Sequence, residues 1–195
     1  QLGLGFGAAY AAYLELVRRM SGIVLTEAES RTEVSDWREY YYRIVNGWTI
    51  CGDALAHIAA GERITVDPWG LVTTEKDALV LPSGRRIRYP GLRRERDEKD
   101  GKTNWVYGHG RHKRKTYGAK VDENIVQALA CDSIMDASID FYKCTKFRPA
   151  LRVHEELAYV VPTTEAVALL AELQAILRTP PKWWPELIVW SEGDV

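Results

Sequence analysis

The sequence predicts an α+β fold, and three observations carry that assignment. Apolar, helix-forming runs dominate both ends of the chain. Short β-rich runs cut by Pro and Gly fill the middle. Near the C-terminal third, two further β-rich runs are separated by only three polar residues, the spacing of a hairpin. The 195 residues, 46% hydrophobic and 27% charged, fall in the globular range and exclude a disordered chain. That length fits one domain or two small lobes. No apolar run reaches the roughly 18 residues of a membrane span. The first residues carry neither an initiating Met nor a basic leader, which argues against a secretory signal. A chain opening on Gln1-Leu2-Gly3 is expected to be a piece of something longer, or a processed product.

Each element has a local reason. Phe6 to Met20 reads as a helix rich in Ala and Leu, with Gly22 where a glycine stop belongs. Thr26 followed by Glu29 forms a capping box that opens a second helix running towards Trp48. Helical character continues through Leu55 and Ile58 to Gly61. Arg63 to Val66, Ala78 to Leu81 and Arg86 to Tyr89 read as strands, punctuated by Asp67-Pro68-Trp69-Gly70, Pro82-Ser83-Gly84 and Pro90-Gly91. Leu92 to Gly110 is charged and weakly periodic, which predicts a mobile loop or a long hairpin tip. A long helix follows over Val121 to Tyr142, then strands at Leu151 to Val153 and Leu157 to Val161. Pro162-Thr163-Thr164 opens a last helix to Leu177, and an irregular tail ends the chain.

Charge is balanced overall, 26 Lys and Arg against 27 Asp and Glu, but it is not evenly spread. Between Ser83 and Lys120, thirteen basic side chains face four acids, a local charge of +9. Such segregation suits either a polyanion footprint or a solvated basic surface. Cys51, Cys131 and Cys144 form no CxxC pair and no zinc spacing, so reduced thiols are expected. Gly3-Leu4-Gly5-Phe6-Gly7 fails the dinucleotide-loop spacing, and close helix packing explains its glycines better. Asp132, Asp136 and Asp140 share a helical face, which suits a solvated stripe more than a cation site. His154-Glu155-Glu156 carries the most chemistry: two adjacent carboxylates beside an imidazole suit a hard cation such as Mg2+. A charged hairpin turn accounts for the same three residues.

In this order the segments resemble the C-terminal part of a family A DNA polymerase of the bacteriophage branch. LGLGFG is similar to the end of motif B, with Phe6-Gly7 at its Tyr-Gly pair. LPSGRRIRYPG, Leu81 to Gly91, resembles a segment typical of phage members. Thr116 to Asp132 resembles the helix whose Gln faces the primer–template minor groove, and Gln127 matches that Gln, with Asn124 nearby. RVHEELAYVVP resembles motif C, usually Val-His-Asp-Glu, and PPKWWPELIVWSEGD resembles the usual terminus.

The resemblance implies a partial right-hand polymerase fold, with fingers over residues 1–115 and palm over 116–195. It implies nucleotidyl transfer with two Mg2+ ions, for which Mn2+ can substitute. Glu155 then stands at the metal-binding Asp, Glu156 at the supporting acid and His154 beside the primer terminus. Phe6 and Gly7 would lie against the nascent base pair and template. Gln127 and Asn124 would contact DNA, and Arg85, Arg86, Arg111, Lys113, Arg114 and Lys115 would hold its phosphates. The implied partners are primer–template DNA, dNTPs and an upstream segment bearing motif A, the thumb and any exonuclease, with no membrane. The implied location is the cytoplasm, that of the host for a phage protein. Glu155 departs from the family's Asp by one methylene, which a rigid Mg2+ shell tolerates poorly. A non-catalytic DNA-binding module on the same scaffold is the alternative. A structural accessory without DNA affinity fits the basic stretch less well.

Overall fold

The computed structural model describes residues 2–5, 7–98 and 101–195, and these form a mixed fold of helices and small antiparallel sheets. Chain contacts divide it into two compact units, Gln1–Ile125 and Val126–Val195.

In the first unit, α1 (Leu2–Gly5) and α2 (Tyr10–Ser21) precede α3 (Glu27–Tyr40) and α4 (Tyr42–Ala60). Gly22 closes α2 in the left-handed region at φ 73°, its N–H donating to the Arg18 carbonyl. The Thr26 capping box is formed in both directions: the Glu29 N–H donates to the Thr26 hydroxyl oxygen at 3.2 Å, and the Thr26 N–H donates to the Glu29 carboxylate at 2.8 Å. The single helix expected from there to Trp48 is instead two, broken at Tyr41 (φ −99°, ψ 37°). No Gly or Pro announces this break. It coincides with a cluster of rings, Trp37 against Tyr41 at 4.8 Å and Trp37 stacked on Trp48 at 5.9 Å. The buried Ser30 hydroxyl donates to the Tyr10 carbonyl at 2.7 Å and joins α3 to α2.

The β-rich middle forms two three-stranded sheets. The first is β1 (Thr73–Glu75), β2 (Ala78–Val80) and β3 (Arg86–Arg88), with Leu79 opposite both Thr74 and Ile87. The strand expected at Arg63 to Val66 is reduced to one bridge, Thr65 to Thr73. The Ile64 N–H is taken by the buried Thr74 hydroxyl at 2.8 Å. Beyond it, Asp67 gathers the N–H groups of Trp69, Leu71 and Val72 into a closed loop. The second sheet is β4 (Arg93–Arg96), β5 (Thr103–Tyr107) and β6 (Arg114–Thr116), with a 3-10 turn at Gly110–His112. The stretch read as a mobile loop or hairpin tip is therefore a paired hairpin extended by a third strand. Charged residues on β4 hid a strand that pairs through its backbone, which is indifferent to side-chain charge.

A long helix, α5 (Gly118–Thr145), begins in this unit, and its start decides how α4 packs. A Cβ on Gly118 would run into the Trp48 carbonyl, and one on Gly52 would sit 3.8 Å from the Gly118 Cα. The two backbones touch, as glycine alone permits. One turn on, the Cys51 thiol faces the Asp122 carboxylate at 3.9 Å. Burial pushes the thiol up to about 12 and raises the carboxyl above its ordinary range. Gly7, at φ 76°, likewise abuts Ala119, where a Cβ would come within 2.7 Å. Leu55, Ile58, Val72, Leu79, Tyr89 and Val121 complete this core.

The second unit holds the rest of α5, a hairpin of β7 (Pro149–Val153) and β8 (Glu156–Tyr159), and α6 (Ala166–Leu177). Phe141 is buried edge-on to Tyr159 at 4.8 Å, and Leu173 of α6 is buried too. Asp132 is buried rather than on a solvated stripe, while Asp136 accepts from the Trp183 indole and Asp140 from Lys143. All three cysteines are free thiols. Among the described residues, no helix is long and apolar enough to cross a membrane.

The backbone contact at Gly118 yields a direct expectation. Gly118→Ala should lower the unfolding free energy by about 1–3 kcal/mol, the usual cost of overpacking. Gly5→Ala, at an open helical position, should be neutral or mildly stabilising. Urea denaturation of both variants measures the difference, and equal stabilities would mean that α4 and α5 do not touch there.

Candidate functional site

The hairpin β7–β8 places the three residues of greatest chemical interest. Val153 pairs with Glu156, so His154 and Glu155 form a two-residue loop. His154 takes φ 51°, the left-handed side that primed hairpin turns require at their first position. A non-glycine residue pays for that conformation in strain. Glu155 follows at the loop's second position and Glu156 opens β8 on the face shared with Val153. All three side chains are exposed. Among the described residues, neither Glu155 nor Glu156 forms an ion pair or a side-chain hydrogen bond. Two exposed carboxylates at consecutive positions concentrate negative charge at the turn, screened by the surrounding water. Both line a cavity of about 480 Å³ with Leu151, Trp190, Glu192 and Asp194, so the tail brings two more acids to the same hollow. Among the described residues, no group of three or more His, Cys, Asp or Glu side chains is arranged to hold a metal ion. The turn thus presents two exposed oxygen-donor side chains, the ligand type that hard cations take, without a complete ligand set among the described residues.

The other candidate residues fall into distinct environments. Phe6 lies outside the described residues. Gly7 has a structural use of its own in its contact with Ala119. Asn124 is turned to the first unit's core, its amide donating to the buried Tyr89 hydroxyl at 3.1 Å. Gln127, three residues further along α5, is exposed. The basic candidates divide by partner. Arg86 is bound to Glu75, Lys113 to Glu95 and Lys115 to Asp97. Arg111 and Arg114 are exposed and, among the described residues, take part in no ion pair. Arg85 is exposed at the mouth of the β2–β3 turn, where its N–H meets the Ser83 hydroxyl. The structure brings His154, Glu155 and Glu156 together, and gathers Arg111, Lys113, Arg114 and Lys115 on and beside β6.

Over its whole length the chain is similar to one phage protein. It is 30% identical over 204 aligned positions to a DNA polymerase of Bacillus phage SP02. The match takes in 100% of this chain and 31% of that polymerase, so the chain spans about a third of its relative's length. No family model matches the chain, and no solved structure matches it.

Some participants carried no sequence signal. Arg152 donates to the Cys131 sulfur at 3.2 Å and ties β7 to α5 within the second unit, across 21 residues of chain. Glu192 and Asp194 reach the hairpin's cavity from the far end of the chain. A pairing between distant segments leaves no local pattern to read.

The left-handed turn residue can be tested by stability alone. His154→Gly should be tolerated, whereas His154→Val should unfold more easily than His154→Gly by about 1 kcal/mol or more, because a β-branched side chain fits positive φ worst. Thermal melts of the two variants decide the point; equal melting would mean that the turn is not left-handed at this residue.

Proposed function

We propose that this chain is the C-terminal fingers–palm portion of a phage-type family A DNA polymerase and takes part in template-directed DNA synthesis. The observation that carries the reading is the similarity along the entire chain to a phage DNA polymerase. Three features support it: the free carboxylates of Glu155 and Glu156 on a tight hairpin, the long helix bearing Gln127, and the basic sheet. In this reading the primer's 3′-hydroxyl oxygen attacks the α-phosphorus of a dNTP, losing its proton to solvent, and the new P–O bond replaces the one to pyrophosphate, which leaves. Glu155 and Glu156 would hold divalent cations, with Mg2+ the natural occupant and Mn2+ able to substitute. When bound, such ions neutralise charge on the phosphate oxygens and orient attacking and leaving groups. His154, beside them, positions the primer end. Phe6 and Gly7 meet the nascent pair and Gln127 meets the minor groove, while Asn124, whose amide donates to the buried Tyr89 hydroxyl, supports α5 from the core side. Arg85, Arg111 and Arg114 position the DNA without reading it, and Arg86, Lys113 and Lys115 do so by exchanging their carboxylate partners Glu75, Glu95 and Asp97 for phosphate.

Two carboxylates do not complete a two-metal site, so further oxygen ligands come from the rest of the polymerase, with the dNTP phosphates. The chain spans 31% of its relative, which leaves room for such a part. The alternative is a DNA-binding module that has kept the scaffold without catalysis. The longer Glu155 side chain favours it to the extent that it misplaces the carboxylate.

Primer extension by the chain combined with the preceding segment of a phage polymerase separates the two. Glu155→Ala should lower Mg2+-dependent incorporation by on the order of a hundredfold or more, while primer–template affinity changes little. Glu155→Asp should keep or raise incorporation. Wild-type incorporation by Glu155→Ala would overturn the assignment of this residue to metal binding.

A further inference from the structure

The sheet β4-β5-β6 has two faces of opposite character. Directly opposed residues share a face, so Arg93, Glu95, Asn104, Val106 and Lys115 lie on one, and Arg94, Arg96, Thr103, Trp105, Tyr107, Arg114 and the buried Thr116 on the other. The latter face is covered at its Thr116 and Tyr107 end and exposed at its arginines. The first face is neutralised: Glu95 accepts from Arg93 and Lys113. At its margin Asp97 accepts from Lys115. The second face receives three arginines and no acid from any of its strands. Among the described residues, Arg94, Arg96 and Arg114 make no ion pair.

The arrangement around these arginines is built rather than loose. The Arg94 guanidinium lies 5.3 Å from the centre of the half-buried Trp105 ring, a cation–π contact. The Arg96 Nε donates to the Gly101 carbonyl at 3.2 Å, which holds that side chain along the hairpin. Tyr107 meets the buried Tyr89 edge-on at 5.3 Å and fastens the same face to the core. Like charges on one sheet face repel, and an anion that joins them relieves the repulsion. Arginine forks match phosphate oxygens, and an indole offers a flat surface for a base.

We propose that this face binds an unpaired DNA strand, with Trp105 stacking on a base and Arg94, Arg96 and Arg114 holding the phosphates around it. The aromatic ring selects a single strand over a duplex, because base faces inside a duplex are already covered by their neighbours. Of the basic stretch's lysines, Lys113 and Lys115 are paired with Glu95 and Asp97 on the opposite side. The proposal rests on the polymerase reading only for the source of the strand, which would be template not yet copied.

Binding of the chain to fluorescently labelled oligo(dT) of about 12 nucleotides, against a blunt duplex of the same length, tests this. Trp105→Ala should weaken oligo(dT) binding roughly fivefold to a hundredfold, and duplex binding less than about twofold. Trp105→Phe, which keeps a stacking ring, should stay close to the parent. Arg94→Gln and Arg114→Gln should each reduce the slope of log affinity against log salt by about 0.7. Unchanged oligo(dT) binding in Trp105→Ala, an equal loss on duplex, or an equal loss in Trp105→Phe would overturn the proposal. No nucleotide is incorporated in this assay, so the two readings fail separately. Selective oligo(dT) loss beside wild-type incorporation by Glu155→Ala would remove the catalytic reading and leave the sheet's. The reverse pair would remove the sheet's and leave the catalytic one.

Discussion

The contact between the Gly118 backbone and the Trp48 carbonyl is the constraint on which the first unit depends. It lets α4 and α5 approach more closely than any side chain would allow, and Gly52 and Cys51 continue the same seam. Because α5 starts at this crossing, the residues that follow inherit its direction. Asp122 meets Cys51, and Asn124 reaches Tyr89. Tyr89 in turn carries Tyr107 and with it the second sheet. A single atom-poor position thus ties helices, core tyrosine and basic sheet into one body.

The charge of the molecule is organised by the same logic of pairing and leaving unpaired. On one face of the second sheet, ion pairs between exposed groups add little stability, each about 0–1 kcal/mol. Their larger effect is to sort charge: the acids of residues 93–97 are consumed by Lys113, Lys115 and Arg93, and the other face is left cationic. At the β7–β8 turn the sorting is reversed: among the described residues, Glu155 and Glu156 form no ion pair. One molecule therefore offers an acidic turn and a basic sheet face, the two chemistries that handling a nucleic acid with metal ions requires.

Much of this was legible from local pattern. Thr26 and Glu29 announced their capping box, Gly22 and Gly61 their helix ends, and the polar interval between two β-rich runs announced the hairpin. What escaped was set by contacts between distant residues. The Tyr41 break carries no Gly or Pro and coincides with the packing of Trp37 on Tyr41 and Trp48. The Arg63 to Val66 strand is cut short by the side chains of Thr74 and Asp67. Between a mobile loop and a long hairpin the sequence from Leu92 to Gly110 left the choice open, because charge says nothing about backbone pairing; the hairpin alternative is the one formed, with β6 added. At the site, the identities of His154, Glu155 and Glu156 were readable, but their left-handed turn and the acids of the tail beside them were not. Likewise, the +9 stretch was visible as a sum, whereas its division into a neutralised and a cationic face required the register of three strands.

The central claim is that the turn between β7 and β8 holds the divalent cation of a polymerase. Fe2+-directed cleavage tests it without relying on turnover: iron replaces Mg2+ in the assembled complex with primer–template and dNTP, and hydroxyl radicals cut whatever lies beside the ion. Cuts within a few residues of the Val153–Glu156 turn, competed away by Mg2+ and lost in Glu155→Ala, are the predicted result. Cleavage confined to other segments, unaffected by Glu155→Ala, would contradict it.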